Sequence, residues 1–441
     1  MIRRTIREWE HIRYGTDGAT IPEAHADRIA AVAKASAFSG RDGEGVLEHG
    51  RKQLRARGVV GVIATPGCQL EVLPKVEGEV GVSDAILRHR LIHMLALIHD
   101  LPIDAGAMTR LGWQRDTVLE LLIRLFCVKL TDAVRQGMPR NYVAQEDDLP
   151  ALRGRLNVIR QFSTLAVSPQ KLACWFDAFS PDIALNQVMR AAITILSRRA
   201  QAPDNQHTLR VLALAYSEVA EVTSSALRWD LITLDRTSRR WRDLVSLARL
   251  FLSDRHQHTS AGEIGGYALL FEMNVLFEQY VARILSRALA GTGLRVSAQG
   301  GHRDCLYDGD KGRFRTRPDL IVREGDRIVL IIDTKWKRIT PKIDDLKQGV
   351  NQTDVYQMMV YHRLYNCPNV MLLYPHHSDL PLHSIQRYSI AERDAEEKLF
   401  VATLDVSRSP RCLGTALKKM INQCLMATTL AAVGHQSCQV S

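Results

Sequence analysis

Three residues in the stretch RPDLIVREGDRIVLIIDTKWK (317–337) have the types and spacing that chemistry on a phosphate ester needs: Asp319, Asp333 and Lys335. Asp319 stands just before the aliphatic run 320–322, and Asp333 directly follows five consecutive aliphatics, 328–332. Side chains alternate along an extended strand, so Asp333 and Lys335 share one face while Thr334 and Trp336 take the other. With REGD as the turn, a three-residue loop at 324–326 pairs Arg323 with Arg327. Asp319 then lies opposite Ile331 and diagonal to Asp333, roughly 7–8 Å away at Cα. A two-residue loop shifts the register and breaks this match.

Two carboxylates converging on one point repel unless a cation sits between them. Hard oxygen ligands of this kind suit Mg²⁺, which keeps several waters and accepts phosphate oxygens. Such an ion lowers the pKa of a bound water and polarises a phosphodiester. A lysine on the same face orients that water, helps to deprotonate it, or stabilises charge in the transition state. The plain alternative is a surface hairpin with a solvated Asp333–Lys335 ion pair. The five aliphatics argue instead for a central strand. On the following helix Gln357 and Tyr361 are spaced i, i+4 and project from one face. On an earlier helix Glu278, in LFEQYV, offers another carboxylate. For Tyr361 the competing role is core packing, and for Glu278 a solvated helix face.

These residues need elements to hold them. The first 80 residues are β-rich, with strands in GVVGVIAT (58–65) and CQLEVLPKV (68–76) around the turn dipeptide Pro66-Gly67. From about 84 to 138 apolar residues recur at helical spacing, with Gly137 at a helix stop. Residues 142–162 read as a polar connector, and 184–201, 208–227 and 239–254 as helices of a middle region. The turn-rich stretch 253–266 marks a boundary. Beyond it LLFEMNVLFEQYVARILSRALAG reads as a helix whose stripe is Met273, Leu276, Phe277, Tyr280, Val281, Ile284 and Ala288. A Gly- and charge-rich stretch (297–316), the hairpin, a helix at 353–366 and a buried strand at 369–375 follow. The expected architecture is an α/β C-terminal domain with a mixed central sheet flanked by helices, after a β-rich N-terminal region and a helical middle region. The expected divisions are 1–150, 151–260 and 261–441.

At 441 residues the chain is long enough for two or three domains. A net charge of +10 points mildly toward a polyanionic partner. Eight scattered cysteines with no C-x-x-C argue against a zinc ribbon or a secreted disulfide framework. No segment approaches 18 uninterrupted apolar residues and the N-terminus has no apolar h-region, so no membrane role is expected and the chain reads as cytoplasmic.

The set Asp319, Asp333 and Lys335, with Glu278 before it and Q-x-x-x-Y after it, resembles the PD-(D/E)xK nuclease superfamily. LEVLPKV, LRGRLN (152–157), FSPDIALNQVMRAA (179–192), LFEQYV, PDLIV…IIDTKWK and DVYQMMVYH occur in the order found in the McrC family, the nuclease subunits of McrBC-type, modification-dependent restriction systems. The likeness spans roughly 60 to 375. It implies an Mg²⁺-dependent endonuclease acting on double-stranded DNA that contains modified bases. Asp319, Asp333 and Glu278 would serve the metal, Lys335 would assist the attacking water, and Gln357 and Tyr361 would buttress the site or contact DNA. It also implies that the N-terminal region docks on, and stimulates, a McrB-like AAA+ GTPase ring, which translocates DNA and recognises the modified base. No G-x-x-x-x-G-K-[ST] is present: GVLEHGRK (45–52) has Arg51 where the lysine belongs, so GTP is expected to be used by the partner alone. The resemblance does not account for 376–441.

Two other functions stay open: a stand-alone repair or recombination nuclease of the same superfamily, and a non-catalytic regulator of the motor partner. Among further candidates, the four arginines around Trp241 in 235–244 suit either DNA backbone or a solvated helix face. Arg313, Arg315, Arg317, Lys337 and Arg338 flank the proposed site, where phosphate contacts are expected. His376 and His377 are adjacent, which suits a loop better than a metal pair.

Overall fold

The computed structural model describes residues 1–36, 38, 45–75, 82–100, 116–168, 170–234, 239–252, 266–339, 349–377, 380, 385–390 and 397–436. They form two compact units, one made of 1–103 with 259–441 and the other of 104–258. Both ends of the chain therefore build one body, and the proposed chemistry lies in it. The boundary stretch 253–265 lies outside the described residues.

The first unit opens with β1 (Ile2–Arg7), β2 (His11–Arg13), α1 (Glu23–Lys34), β3 (Leu47–His49), β4 (Gln53–Ala56), β5 (Val59–Thr65), β6 (Cys68–Leu73) and α2 (Asp84–Ile98). The expected hairpin is β5–β6, closed by the pair Thr65↔Cys68 with Gly67 at φ 84°. Its sheet has the order β1-β6-β5-β10, and the last strand, β10 (Tyr267–Glu272), arrives from beyond the second unit. β10 lies so close on β5 that a Cβ at Gly61 would sit 2.0 Å from the Leu269 carbonyl oxygen, and Gly61 has φ +130°. Only glycine fits that contact. Ile29 and Val32 of α1, Ile63 and Leu70 of the sheet, and Ala268 and Leu270 of β10 share one dry core.

The sequence reads most of β10 as the start of a helix, and the structure makes it a strand. The apolar run LLFEM has no period that separates strand from helix, and pairing with β5 decides it: the helix α8 begins at Met273 and runs to Ala288. The second unit holds α3 (Val118–Arg135), β7 (Asn141–Leu149), β8 (Arg155–Leu156), α4 (Val158–Phe162), β9 (Leu172–Ser180), α5 (Ala184–Ser197), α6 (Pro203–Ala215) and α7 (Arg239–Leu252). Helices α3, α5, α6 and α7 pack together. The expected connector at 142–162 is instead strand β7, paired along its whole length with β9, with β8 on the other side. Most of β7 is exposed on both faces, so it carries no apolar alternation to betray it. The helix expected at 208–227 starts at Pro203 and stops at Ala215.

After α8 come β11 (Leu294–Ala298), β12 (Arg303–Asp308), β13 (Lys311–Thr316), β14 (Leu320–Glu324), β15 (Arg327–Thr334), α9 (Gln352–Tyr365), β16 (Asn369–Pro375), β17 (Ile385–Ser389), β18 (Lys398–Leu404) and α10 (Pro410–Gln436). A mixed six-stranded sheet runs β11-β14-β15-β16-β18-β17, with β15, β16 and β18 parallel and β14 antiparallel to β15. β15 is thus an interior strand, wholly buried from Ile328 to Thr334. Ile321, Ile331, Val370 and Leu372 of this sheet pack against Met358, Tyr361 and Tyr365 of α9. The architecture is mixed α/β. Among the described residues no helix is long and apolar enough to cross a membrane, and all seven described cysteines are free thiols.

Candidate active site

The turn between β14 and β15 has two residues, not three: Glu324 pairs with Arg327, and Gly325 takes φ 57°. Left regular, that register would set Asp319 opposite Ile332 and place the two aspartates on opposite faces. A β-bulge prevents this. Arg323 pairs with Ile328 but Val322 pairs with Leu330, so Val329 is an extra residue in β15. From there the register runs Val322↔Leu330, Ile321↔Ile331 and Leu320↔Ile332. One step further, Asp319 stands across from Asp333, on the same face. The diagonal arrangement expected for a three-residue loop is replaced by a direct one.

Thr334 fixes Asp319. Its backbone N–H and its hydroxyl both donate to Asp319 Oδ2, at 2.7 and 2.8 Å. Asp333 is completely buried. Lys335 Nζ lies 2.6 Å from Asp333 Oδ2 and donates to Gln357 Oε1 at 3.2 Å. The Gln357 amide donates in turn to Asp333 Oδ1 (3.3 Å) and to the Tyr361 hydroxyl (2.7 Å), which donates to the Arg317 carbonyl (3.4 Å). Asp333, Lys335, Gln357 and Tyr361 therefore form one chain of bonds, and Thr334 holds Asp319 beside it. Tyr361 is buried as core packing requires, yet its hydroxyl belongs to this chain of bonds.

Glu278 is buried on the inner face of α8 and is not a solvated residue. Gln299 donates to its carboxylate, and burial together with Asp319 raises its pKa from 4.5 to about 7. Asp333 behaves alike: burial first, then Asp319, lifts it from 3.8 to about 6 against the pull of Lys335. For Lys335 burial favours loss of the proton, but Asp333 and Asp319 outweigh it and its pKa rises. The lysine is a cation at neutral pH.

Several contributors escape sequence reasoning. Gln299, at φ 50°, binds the Asp319 carbonyl through its backbone N–H (2.8 Å) and links Arg317 to Glu278. Asp354, buried in the first turn of α9, pairs with Lys337 and accepts from the Tyr374 hydroxyl at 3.2 Å. Its i, i+3 spacing to Gln357 was the only signal available. Trp336 turns away from Lys335: its indole N–H donates to Glu8 Oε2 at 3.0 Å, its backbone N–H to Asn274 Oδ1, and its ring meets Phe277. Glu8, wholly buried, also accepts from the Lys75 backbone (3.1 Å), and burial pushes its pKa to about 7.

Of the remaining candidates, His376 faces Thr403 and His377 binds the Ile339 carbonyl, so the two rings do not converge. Trp241 is buried in α7, which removes it as an exposed DNA contact; residues 235–238 lie outside the described residues. Among the described residues no three His, Cys, Asp or Glu side chains lie close enough to cage a metal by themselves. The donor chemistry that is present fits a hydrated Mg²⁺, which needs only one or two carboxylates plus waters and phosphate oxygens. Mutually repelling, proton-hungry carboxylates are what such an ion relieves.

A sequence profile of the McrBC family, described as "McrBC 5-methylcytosine restriction system component", matches residues 54–375. The chain belongs to this family. No curated protein matches it. In fold it is similar to a chain of the half-complex from a tetradecameric assembly of Thermococcus gammatolerans McrB AAA+ hexamers with bound McrC. There the TM-score is 0.70 at 19% identity, covering 95% of this chain and 100% of that one. It is also similar to a chain of the T. gammatolerans McrBC complex, with TM-score 0.51 and 23% identity over 65% of this chain and 88% of that one.

Proposed function

We propose that this chain is the Mg²⁺-dependent DNA endonuclease subunit of a McrBC-type restriction system, with a PD-(D/E)xK active site. The observation that carries the proposal is the bulge-set opposition of Asp319 and Asp333, with Lys335 on Asp333. Asp319 and Asp333 would hold the ion, and Glu278, not close enough to complete a three-carboxylate cage, would add its charge nearby; when bound, the ion supplies a water of lowered pKa and polarises the phosphodiester. Thr334 holds Asp319 in place, and Gln357 holds both Asp333 and Lys335. Because Lys335 keeps its proton, its role is to orient the attacking water and to offset negative charge developing on the phosphate, not to act as the base. Tyr361 and Arg317 brace Gln357 and the entry to Asp319.

The partner is a McrB-like AAA+ ring, as in the assembly of McrB AAA+ hexamers with bound McrC, and we propose that the ring is the GTPase. Its docking surface is expected within residues 1–150; the sheet of the second unit, where β7 and β9 expose Tyr142 and Phe179 and the LRGRLN segment stacks Arg153 on Phe176 and Arg155 on Trp175, would extend it. The test is cleavage of modified duplex DNA with Mg²⁺, GTP and the partner. Asp333→Asn should abolish cleavage and leave stimulation of the partner's GTPase intact. Full cleavage by that variant sinks the site assignment. Cleavage by the wild-type chain without partner or nucleotide points to the stand-alone nuclease.

A further inference from the structure

Strands β12 and β13 form a two-stranded ribbon that is not part of the six-stranded sheet. Such a ribbon has little stability by itself, and this one is tied down at its base. The Thr316 hydroxyl meets the Tyr365 hydroxyl at 2.9 Å, and the Arg303 guanidinium lies over the Tyr365 ring at 5.2 Å and reaches the Leu364 carbonyl. The base is therefore clamped to α9, the helix that carries Gln357 and Tyr361, and the chain leaves the ribbon through Arg317 and Pro318 directly into Asp319.

Away from the base the ribbon is exposed and apolar in a way folding does not require. Leu306, Tyr307 and Phe314 are 58%, 70% and 75% exposed. Tyr307 pairs with Gly312, so no cross-strand side chain covers its ring. Phe314 holds a left-handed backbone at φ 54°, unfavourable for an aromatic residue. Around these rings, residues 303–317 carry five cations (Arg303, Lys311, Arg313, Arg315, Arg317) against three carboxylates. Strands of six residues reach about 20 Å, and a two-stranded ribbon fits the major groove of a duplex, about 12 Å wide. Three separated apolar side chains among charges are too few for the apolar centre of a stable protein interface. They suit a polyanion with flat faces to stack on.

We propose that the β12–β13 ribbon enters a groove of the DNA beside the bond to be cut, with Tyr307 and Phe314 stacking on or wedging between bases and the arginines on flanking phosphates. This deepens the nuclease reading and rests on it. The ribbon then sets where the scissile phosphate falls relative to Asp319, because its base and that aspartate are joined by one rigid step.

The experiment uses the full chain assembled with its AAA+ partner. Tyr307→Ser with Phe314→Ser is made in the Asp333→Asn background, which permits binding without cutting, and in the wild-type background. Both positions are exposed, so folding is retained, checked by circular dichroism and by unchanged GTPase stimulation. Duplex affinity by fluorescence anisotropy should fall about tenfold or more, the size expected for lost base–aromatic stacking. The emission rise of a 2-aminopurine placed near the cut site should vanish, and cleavage in the wild-type background should slow in parallel. Unchanged affinity and unchanged 2-aminopurine emission overturn the proposal. So does a changed oligomeric state with unchanged affinity, which assigns the ribbon to a second copy of the chain. Failure of the nuclease reading is distinguishable, since it appears as an uncut substrate with the wild-type chain while ribbon-dependent binding persists.

Discussion

Replacing Asp333 by asparagine exchanges a fully buried carboxylate for a neutral group of the same shape, and its effect on stability follows from the surroundings. Burial, then Asp319, raises the Asp333 pKa from 3.8 to about 6 in spite of Lys335. The native state thus holds this proton more tightly than the unfolded chain does. The resulting cost is absent below about pH 4, grows between about pH 4 and 6, and is complete above that. A difference of about 2 pKa units corresponds to about 3 kcal/mol. Asparagine keeps an acceptor for only one of Gln357 and Lys335 and turns its NH2 toward the other, which offsets part of the gain, while the lysine side chain, 24% exposed, recovers part of its counter-ion's effect from water. Asp333→Asn should therefore stabilise the metal-free protein by about 1–3 kcal/mol near pH 7.5 and by nothing near pH 4. Urea unfolding at the two pH values, with chelator present, measures this. Added Mg²⁺ should raise the wild-type midpoint at the higher pH and leave the variant unmoved. A variant less stable than wild type near pH 7.5, or equally stabilised at both pH values, refutes the argument. So does a variant that Mg²⁺ still stabilises fully.

Burial and Asp319 raise the Glu278 pKa to about 7, so the Mg²⁺ needed for half-maximal cleavage should rise up to about tenfold between pH 7 and 6, and more steeply below about 6, where Asp333 also takes up a proton. Glu278→Gln should remove the rise between pH 7 and 6 in a cleavage titration and leave the one below it. Trp336→Phe removes the indole N–H from buried Glu8 and should cost about 1–3 kcal/mol in urea unfolding; adding Glu8→Gln should recover part of the loss, so a double-mutant cycle that shows strict additivity disproves the link. Ile331→Ala, at a position with no exposure, should cost about 2–5 kcal/mol, read from the shift in urea midpoint.

What was legible in the sequence depended on whether burial imposed a pattern. The β5–β6 hairpin announced itself through β-branched runs around Pro66-Gly67, and β15 through its aliphatic run. The i, i+4 spacing of Gln357 and Tyr361 put both on one face, but they do not meet a common neighbour: Gln357 reaches Asp333, and Tyr361 bonds to Gln357 itself. Hidden features were those that leave no periodic trace. β7 is exposed on both sides, and β10 is apolar on both, so neither alternates. The bulge at Val329 depends on pairing geometry that REGD does not encode by composition. The Glu8–Trp336 bond joins residues at opposite ends of the chain, beyond any local signal.

That bond, together with the place of β10, has a bearing on fragments. A piece of chain beginning near 261 carries Glu278, Asp319, Asp333, Lys335 and Gln357, the whole chemical set. It lacks β5, so β10 has no edge to pair with, and it lacks Glu8, so the indole beside Lys335 loses its acceptor. Ribosomes deliver the two halves of this body at opposite ends of synthesis, and a protease that nicks between them separates them again. Under the nuclease function proposed above, incomplete or clipped products would carry the chemical residues without the strand and the acceptor on which their frame rests.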